Sequence, residues 1–219
     1  MLQPYGRYNN GSRFAGETDF FESLADLKRR FPIDEDRIVI RGFSLGGASA
    51  WHLTVHYAAD WAASAPGAGF SETRDFLTWF QGEELHPPWW EEKLWQLYDS
   101  PAYVENFRNI PLVAYSGEID RQKQAADVMA KALAAIGIEL RHIIGPNTAH
   151  AYHPDAITQI NALIDPLAAR GRETLPRTIT VTAPTLRYNR QAWLQIDALD
   201  RHWEKSTVTH RDENVGVGF

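Results

Sequence analysis

Three short stretches hold the residues best placed for chemistry: Gly42-Phe43-Ser44-Leu45-Gly46-Gly47, Ser116-Gly117-Glu118-Ile119-Asp120 and Pro146-Asn147-Thr148-Ala149-His150. A serine hydroxyl is a weak nucleophile until a histidine takes its proton and a carboxylate fixes the tautomer of that histidine. Gly-x-Ser-x-Gly between an apolar strand and a helix forms a nucleophile elbow, a tight turn whose neighbours must be small for the backbone to fold back. Gly42, Gly46 and Gly47 supply that smallness around Ser44. The helix that follows aims its N-terminal amides and dipole at the place where an oxyanion forms, so the backbone N–H of Leu45 is the expected first oxyanion donor.

The elements around these stretches have to put them on one edge. Ile38-Val39-Ile40 reads as a buried strand running into the elbow, and a helix follows to about Ala59. Leu112 to Tyr115 is a strand that ends just before the Asp120 turn, and Leu140 to Ile144 is one that ends just before the His150 loop. Ligand sites of parallel α/β sheets lie outside the carboxyl ends of the strands, and the chain order Ser, Asp, His suits that arrangement. Ser44, Asp120 and His150 are therefore the expected nucleophile, acid and base. Two alternatives stay open: Glu118 for the acid, and His153 for the base, although Tyr152-His153-Pro154 also reads as the start of a helix.

The remaining chain fills in the same pattern. Phe20, Phe21, Leu24, Leu27 and Phe31 recur at helical spacing over Glu17–Phe31, and Pro32 ends that helix. Ala62 to Ala65 is a second strand, Gln122 to Ile136 a helix capped by Gly137, and Pro154 to Ala169 a further helix. This alternation predicts an α/β fold with a parallel sheet and flanking helices. From Thr178 the period changes to two, in Thr178–Thr182 and Trp193–Ile196, as in half-exposed antiparallel strands. The expected division is residues 1–172 for the catalytic domain and 173–219 for a β-rich C-terminal appendage.

A net charge of −6 argues against a nucleic-acid partner. The absence of cysteine removes disulfides, thiolate metal sites and a cysteine nucleophile, and assigns no compartment. The N-terminus lacks a basic-then-apolar signal pattern, and no apolar run approaches the ~20 residues of a membrane span, so a soluble chain without membrane contact is expected. His52 and His56 are spaced i, i+4, but with no third ligand evident they read as packing residues and no metal is expected. Phe43, Trp79, Trp89 and Trp90 are candidates for a substrate pocket; the tryptophans of the 71–110 excursion equally suit packing onto the sheet.

With those residues in view, the stretch from about Gly16 to Ala156 resembles the prolyl-oligopeptidase-like branch of the α/β-hydrolases. The likeness rests on Arg41–Gly47, Ala65-Pro66-Gly67-Ala68-Gly69-Phe70, Ser116–Asp120 and Gly145–His153. It implies a partial α/β-hydrolase fold and cleavage of an ester or peptide through an acyl-enzyme, with no cofactor. A small-molecule carboxylic ester is the expected substrate. A peptidase of the same family, and an idle truncated fragment serving as a binding or oligomerisation module, are the alternatives. Ser44 comes early compared with that family, so the first half of the usual sheet, and the loop that donates a second oxyanion N–H, are expected to be missing. A strand edge left open in that way predicts self-association, most simply as a homodimer.

Overall fold

The computed structural model describes residues 1–4 and 9–212. Four strands, β1 (Val39–Phe43), β2 (Ala63–Gly67), β3 (Val113–Gly117) and β4 (Arg141–Gly145), form one parallel sheet in the order β1-β2-β3-β4. β1 and β2 pair from Val39↔Ala63 to Phe43↔Gly67, and β3 and β4 from Val113↔Arg141 to Gly117↔Gly145. The β2–β3 ladder is sparser, and the sequence explains it. Ser64 N–H donates to the Pro111 carbonyl and Ala68 N–H to that of Tyr115; the donor midway belongs to Pro66, which has no N–H.

Helix α6 (Pro154–Arg170) covers one face, where Ile160 and Ile164 pack with Ala63, Ala65, Val113 and Ile143. The other face carries α1 (Ala15–Arg30), α2 (Leu45–His56) and α5 (Lys123–Ala134). α2 is buried all round, with Trp51, Leu53 and Val55 in the core, because it lies between the sheet and the elements stacked above it. Of the apolar positions expected on α1, Phe20 and Leu24 are buried; Phe31 lies past the helix end and is exposed. Between β2 and β3 the chain makes an excursion: α3 (Thr73–Asp75) runs into a π-helical turn, Phe76–Gln81, then come α4 (Trp89–Trp95) and a 3₁₀ stretch, Ser100–Asn109. No helix among the described residues is long and apolar enough to cross a membrane.

The C-terminal strands differ from their expected form. β5 (Thr178–Ala183) is buried on both faces from Ile179 onward, not half-exposed. Its antiparallel partner is β8 (Ser206–Arg211), with Val181 opposite Val208, a strand the period-two reading passed over. Trp193–Ile196 instead contributes β7 (Leu194–Gln195) to a small hairpin with β6 (Arg190–Gln191). On its other edge β5 is sealed by two asparagines that imitate a strand. Asn109 Oδ1 accepts from Thr180 N–H at 3.0 Å while its Nδ2 donates to the Thr180 carbonyl; Asn106 does the same at Thr182. Val181, Ala183, Tyr188 and Ile196 thereby join the same core cluster as Phe20, Trp51 and Phe107.

Asn106 is fully buried and also donates to the Val55 carbonyl at 2.9 Å, so it links α2 to β5. Asn106→Ala strands three buried backbone groups at once, and a loss of about 3 kcal/mol is expected. Urea denaturation measures it; a loss below 1 kcal/mol would mean that water replaces the amide.

Candidate active site

All four strands end on the same edge, and the loops beyond β1, β3 and β4 carry Ser44, Asp120 and His150. Ser44 takes φ +56° and ψ −120°, a region that suits glycine and strains any side chain. The turn is held by Ser44 N–H donating to Gly67 O at 2.8 Å and Ala48 N–H to Ser44 O at 3.0 Å. A Cβ on Gly42 would lie 1.9 Å from the Gly46 carbonyl, and one on Gly47 would lie 2.1 Å from that of Gly67. Gly46 corrects the expectation: nothing stands within 4 Å of the place its Cβ would take. Gly69, which the motif did not flag, is the other necessary glycine, since a Cβ there would come within 2.3 Å of the Ser44 carbonyl.

Ser44 sits at the N-cap of α2, where a serine hydroxyl ordinarily accepts from a first-turn amide. Here it makes no cap bond and stands 2.7 Å from His150 Nε2 instead. His150 Nδ1 lies 2.8 Å from Asp120 Oδ2, and Asp120 Oδ1 accepts from Gln122 N–H at 2.8 Å. The Asp120 side chain is 3% exposed and that of His150 39%, so the carboxylate is shielded while the imidazole faces the solvent edge. The Leu45 amide opens α2 beside Ser44, among the N-terminal amides that a helix leaves without internal partners.

The His150 loop is fastened from below. Tyr115 Oη donates to the Ala151 carbonyl and accepts from His153 N–H, each at 2.8 Å. Phe43 packs under the His150 ring at 4.8 Å and against Tyr152 at 4.7 Å. Gly117 lets the Asp120 and His150 loops close on each other; a Cβ there would meet the Thr148 and Ala149 carbonyls at 2.2 Å. Tyr115 was missed because a tyrosine in an apolar strand looks like core packing. The alternatives have other contacts: Glu118 accepts from Asn147 N–H at 2.7 Å, and His153 caps α6 by accepting from Asp155 N–H.

The tryptophan candidates stand apart from these contacts. Trp79, Trp89 and Trp90 are 48, 76 and 52% exposed, so they do not pack the excursion onto the sheet. Clefts of about 470 and 250 Å³ elsewhere on the surface are lined by none of the expected site residues. His52 and His56 are fully buried: His52 Nε2 donates to Glu17 Oε2 at 2.7 Å, and His56 Nδ1 donates to the His52 carbonyl. Burial pushes both imidazoles down. Burial alone would raise Glu17, but hydrogen bonds from His52 and Tyr188 and the charge of Arg187 hold its carboxyl below the usual range. Among the described residues no group of three His, Cys, Asp or Glu is arranged to hold a metal.

The neck of the excursion is acid-favoured. Burial, then the nearby charges of Asp99 and Asp75, push Glu72 up to about 7. Burial also raises Asp99 to about 6. For a carboxyl raised on folding, the stabilisation is complete below its unfolded pKa and is lost as pH rises through the folded one. Glu72→Gln keeps an acceptor for Asp75 N–H but removes the charge. The Tm of Glu72→Gln should therefore gain on the unsubstituted chain between pH 5 and pH 8; a pH-independent difference would contradict the assignment.

Comparison with known proteins follows this geometry. The prolyl oligopeptidase family model matches residues 7–164. Dipeptidyl-peptidase 5 of Porphyromonas gingivalis is 30% identical over 144 residues, covering 60% of this chain and 21% of that protein. The acylaminoacyl peptidase of Pyrococcus horikoshii superposes with a TM-score of 0.58 at 18% identity, over 77% of this chain and 29% of the other. S-formylglutathione hydrolase of Staphylococcus aureus gives 0.51 at 16% identity, over 73% and 62%. The chain thus spans about a fifth of the length of the dipeptidyl peptidase it matches. With its parallel sheet, its strained serine turn and a family match over most of its length, the chain has the α/β-hydrolase fold and belongs to the prolyl oligopeptidase family.

Proposed function

We propose that the chain hydrolyses carboxylic esters through a serine acyl-enzyme. The observation that carries this reading is the continuous hydrogen-bonded line from Ser44 Oγ through the His150 ring to Asp120 Oδ2, at 2.7 and 2.8 Å. In it, His150 Nε2 takes the Ser44 proton as Oγ attacks the ester carbonyl, and the imidazolium gives that proton to the departing alcohol. Asp120 orients the ring and stabilises its charged form, and the Leu45 N–H meets the oxyanion. Water then repeats the sequence on the acyl group. S-formylglutathione hydrolase and a ferulic acid esterase stand among the structural neighbours beside an acylaminoacyl peptidase, so both acyl classes are represented there. The peptidase reading is kept alive by the dipeptidyl-peptidase relative. Turnover of p-nitrophenyl acetate set against dipeptidyl p-nitroanilides decides between them: preference for the anilides would transfer the chain to the peptidases.

We also propose that the chain pairs with a second copy. Among the described residues β1 has a strand partner only on its β2 side, and an open apolar strand edge invites a partner. Light scattering should give twice the 24.8 kDa chain mass; a monomer unaffected by concentration would refute the pairing.

A further inference from the structure

Phe70, Phe76 and Phe80 stand in a row, with ring centroids 4.3 and 5.4 Å apart. The row starts one residue after Gly69, which abuts the Ser44 carbonyl, and ends at Arg121, the residue after Asp120. It therefore runs from the nucleophile turn to the acid loop. Arg121 Nη2 donates to the Trp79 carbonyl at 2.8 Å and the Phe80 carbonyl at 3.3 Å, among the last carbonyls of the π-helical turn. Its guanidinium also lies 5.3 and 5.6 Å from the centres of the Trp79 and Phe80 rings.

This contact matters because the excursion has no core of its own. From 72 to 98 the side chains are at most partly buried, and apart from Leu97 and Tyr98, which pack against the main core, polar ties help to hold the segment in place. Three lie on or near the neck: Ser100 N–H to the Ser71 carbonyl, Thr73 Oγ1 to Asp99 Oδ1, and Gln124 Nε2 to Asp75 Oδ2. Arg121 ties the far end of the turn. A planar guanidinium is suited to this, since it can donate to carbonyls while one face lies against an aromatic ring.

We propose that Arg121 is a positioning residue that holds Trp79 and Phe80 as the aromatic wall of the ester site, where a flat, aromatic acyl group packs. The proposal rests on the serine-hydrolase reading for its substrate and on the clamp geometry for its mechanism, and the test separates the two.

Arg121→Ala and Arg121→Lys are made in the whole chain and compared by amide hydrogen exchange over residues 76–83. Arg121→Ala should speed exchange there by about tenfold and leave α2 and β3 unchanged, with Arg121→Lys between the two. Unchanged exchange overturns the clamp, whether or not the protein is active. On esters, Arg121→Ala should raise KM for p-nitrophenyl benzoate by about tenfold, with kcat altered by less than about threefold and with a smaller rise in KM for the acetate. Equal KM changes for both esters, or a loss confined to kcat, overturn the wall. If the unsubstituted chain turns over no ester and takes no serine-directed label, the hydrolase reading fails and the wall with it, while the exchange result still judges the clamp.

Discussion

Ser44→Ala is expected to abolish labelling by a fluorophosphonate probe and to lower ester turnover by about five powers of ten or more, because a serine nucleophile acts as one unit with its base. The backbone adds a second expectation to the same site. Ser44 holds φ +56° and ψ −120°, a conformation that alanine bears no better than serine. Ser44→Gly removes the Cβ and with it the strain, so it should be as dead as Ser44→Ala yet more stable by about 1 kcal/mol. Loss of function joined to gain of stability is the mark of a strained catalytic turn. One label per chain that survives in Ser44→Ala would move the nucleophile elsewhere, and a Ser44→Gly protein that melts below Ser44→Ala would show that the turn is not strained.

The convergence of the candidate residues was largely legible in the sequence because its logic is local. Each of Ser44, Asp120 and His150 follows a short apolar strand by a few residues, and a parallel sheet brings such loops to one edge whatever the details of packing. The supports of the site were not legible, because they act at long range through ordinary residue types. Tyr115 fastens Ala151 and His153 from a strand 36 and 38 residues away. Asn106 and Asn109 seal β5 more than seventy residues downstream. Nothing in the local pattern around those asparagines distinguishes a strand mimic from a solvated loop residue. The same limit explains β5 itself: alternation of Thr with Ile and Val suggests one wet face, yet Thr180 and Thr182 face a hydroxyl ladder with Thr209 and Thr207 that lets the threonines be buried. Gly46 and Gly69 show it in miniature. The motif names the first, but close backbone approach needs the second, which a neighbouring loop brings up against the turn.

Asp120→Asn is the sharpest test of how the three residues work together. The substitution is nearly isosteric, and the buried side chain has two oxygens with separate duties: Oδ1 accepts from Gln122 N–H and Oδ2 faces His150 Nδ1. An asparagine satisfies Gln122 N–H only by keeping its carbonyl oxygen on that side, which turns the NH₂ toward His150. An amide donor facing Nδ1 favours the tautomer with the proton on Nε2, the nitrogen 2.7 Å from Ser44 Oγ. That nitrogen then cannot take the serine proton, and the imidazolium formed in the transition state loses its counter-charge. A fall in kcat of about 10⁴ is expected, with little change in KM and no loss of fold. Glu118→Gln, which weakens only the bond to Asn147 N–H, should keep turnover within about tenfold. Full activity in Asp120→Asn together with an inactive, folded Glu118→Gln would hand the role of the acid to Glu118.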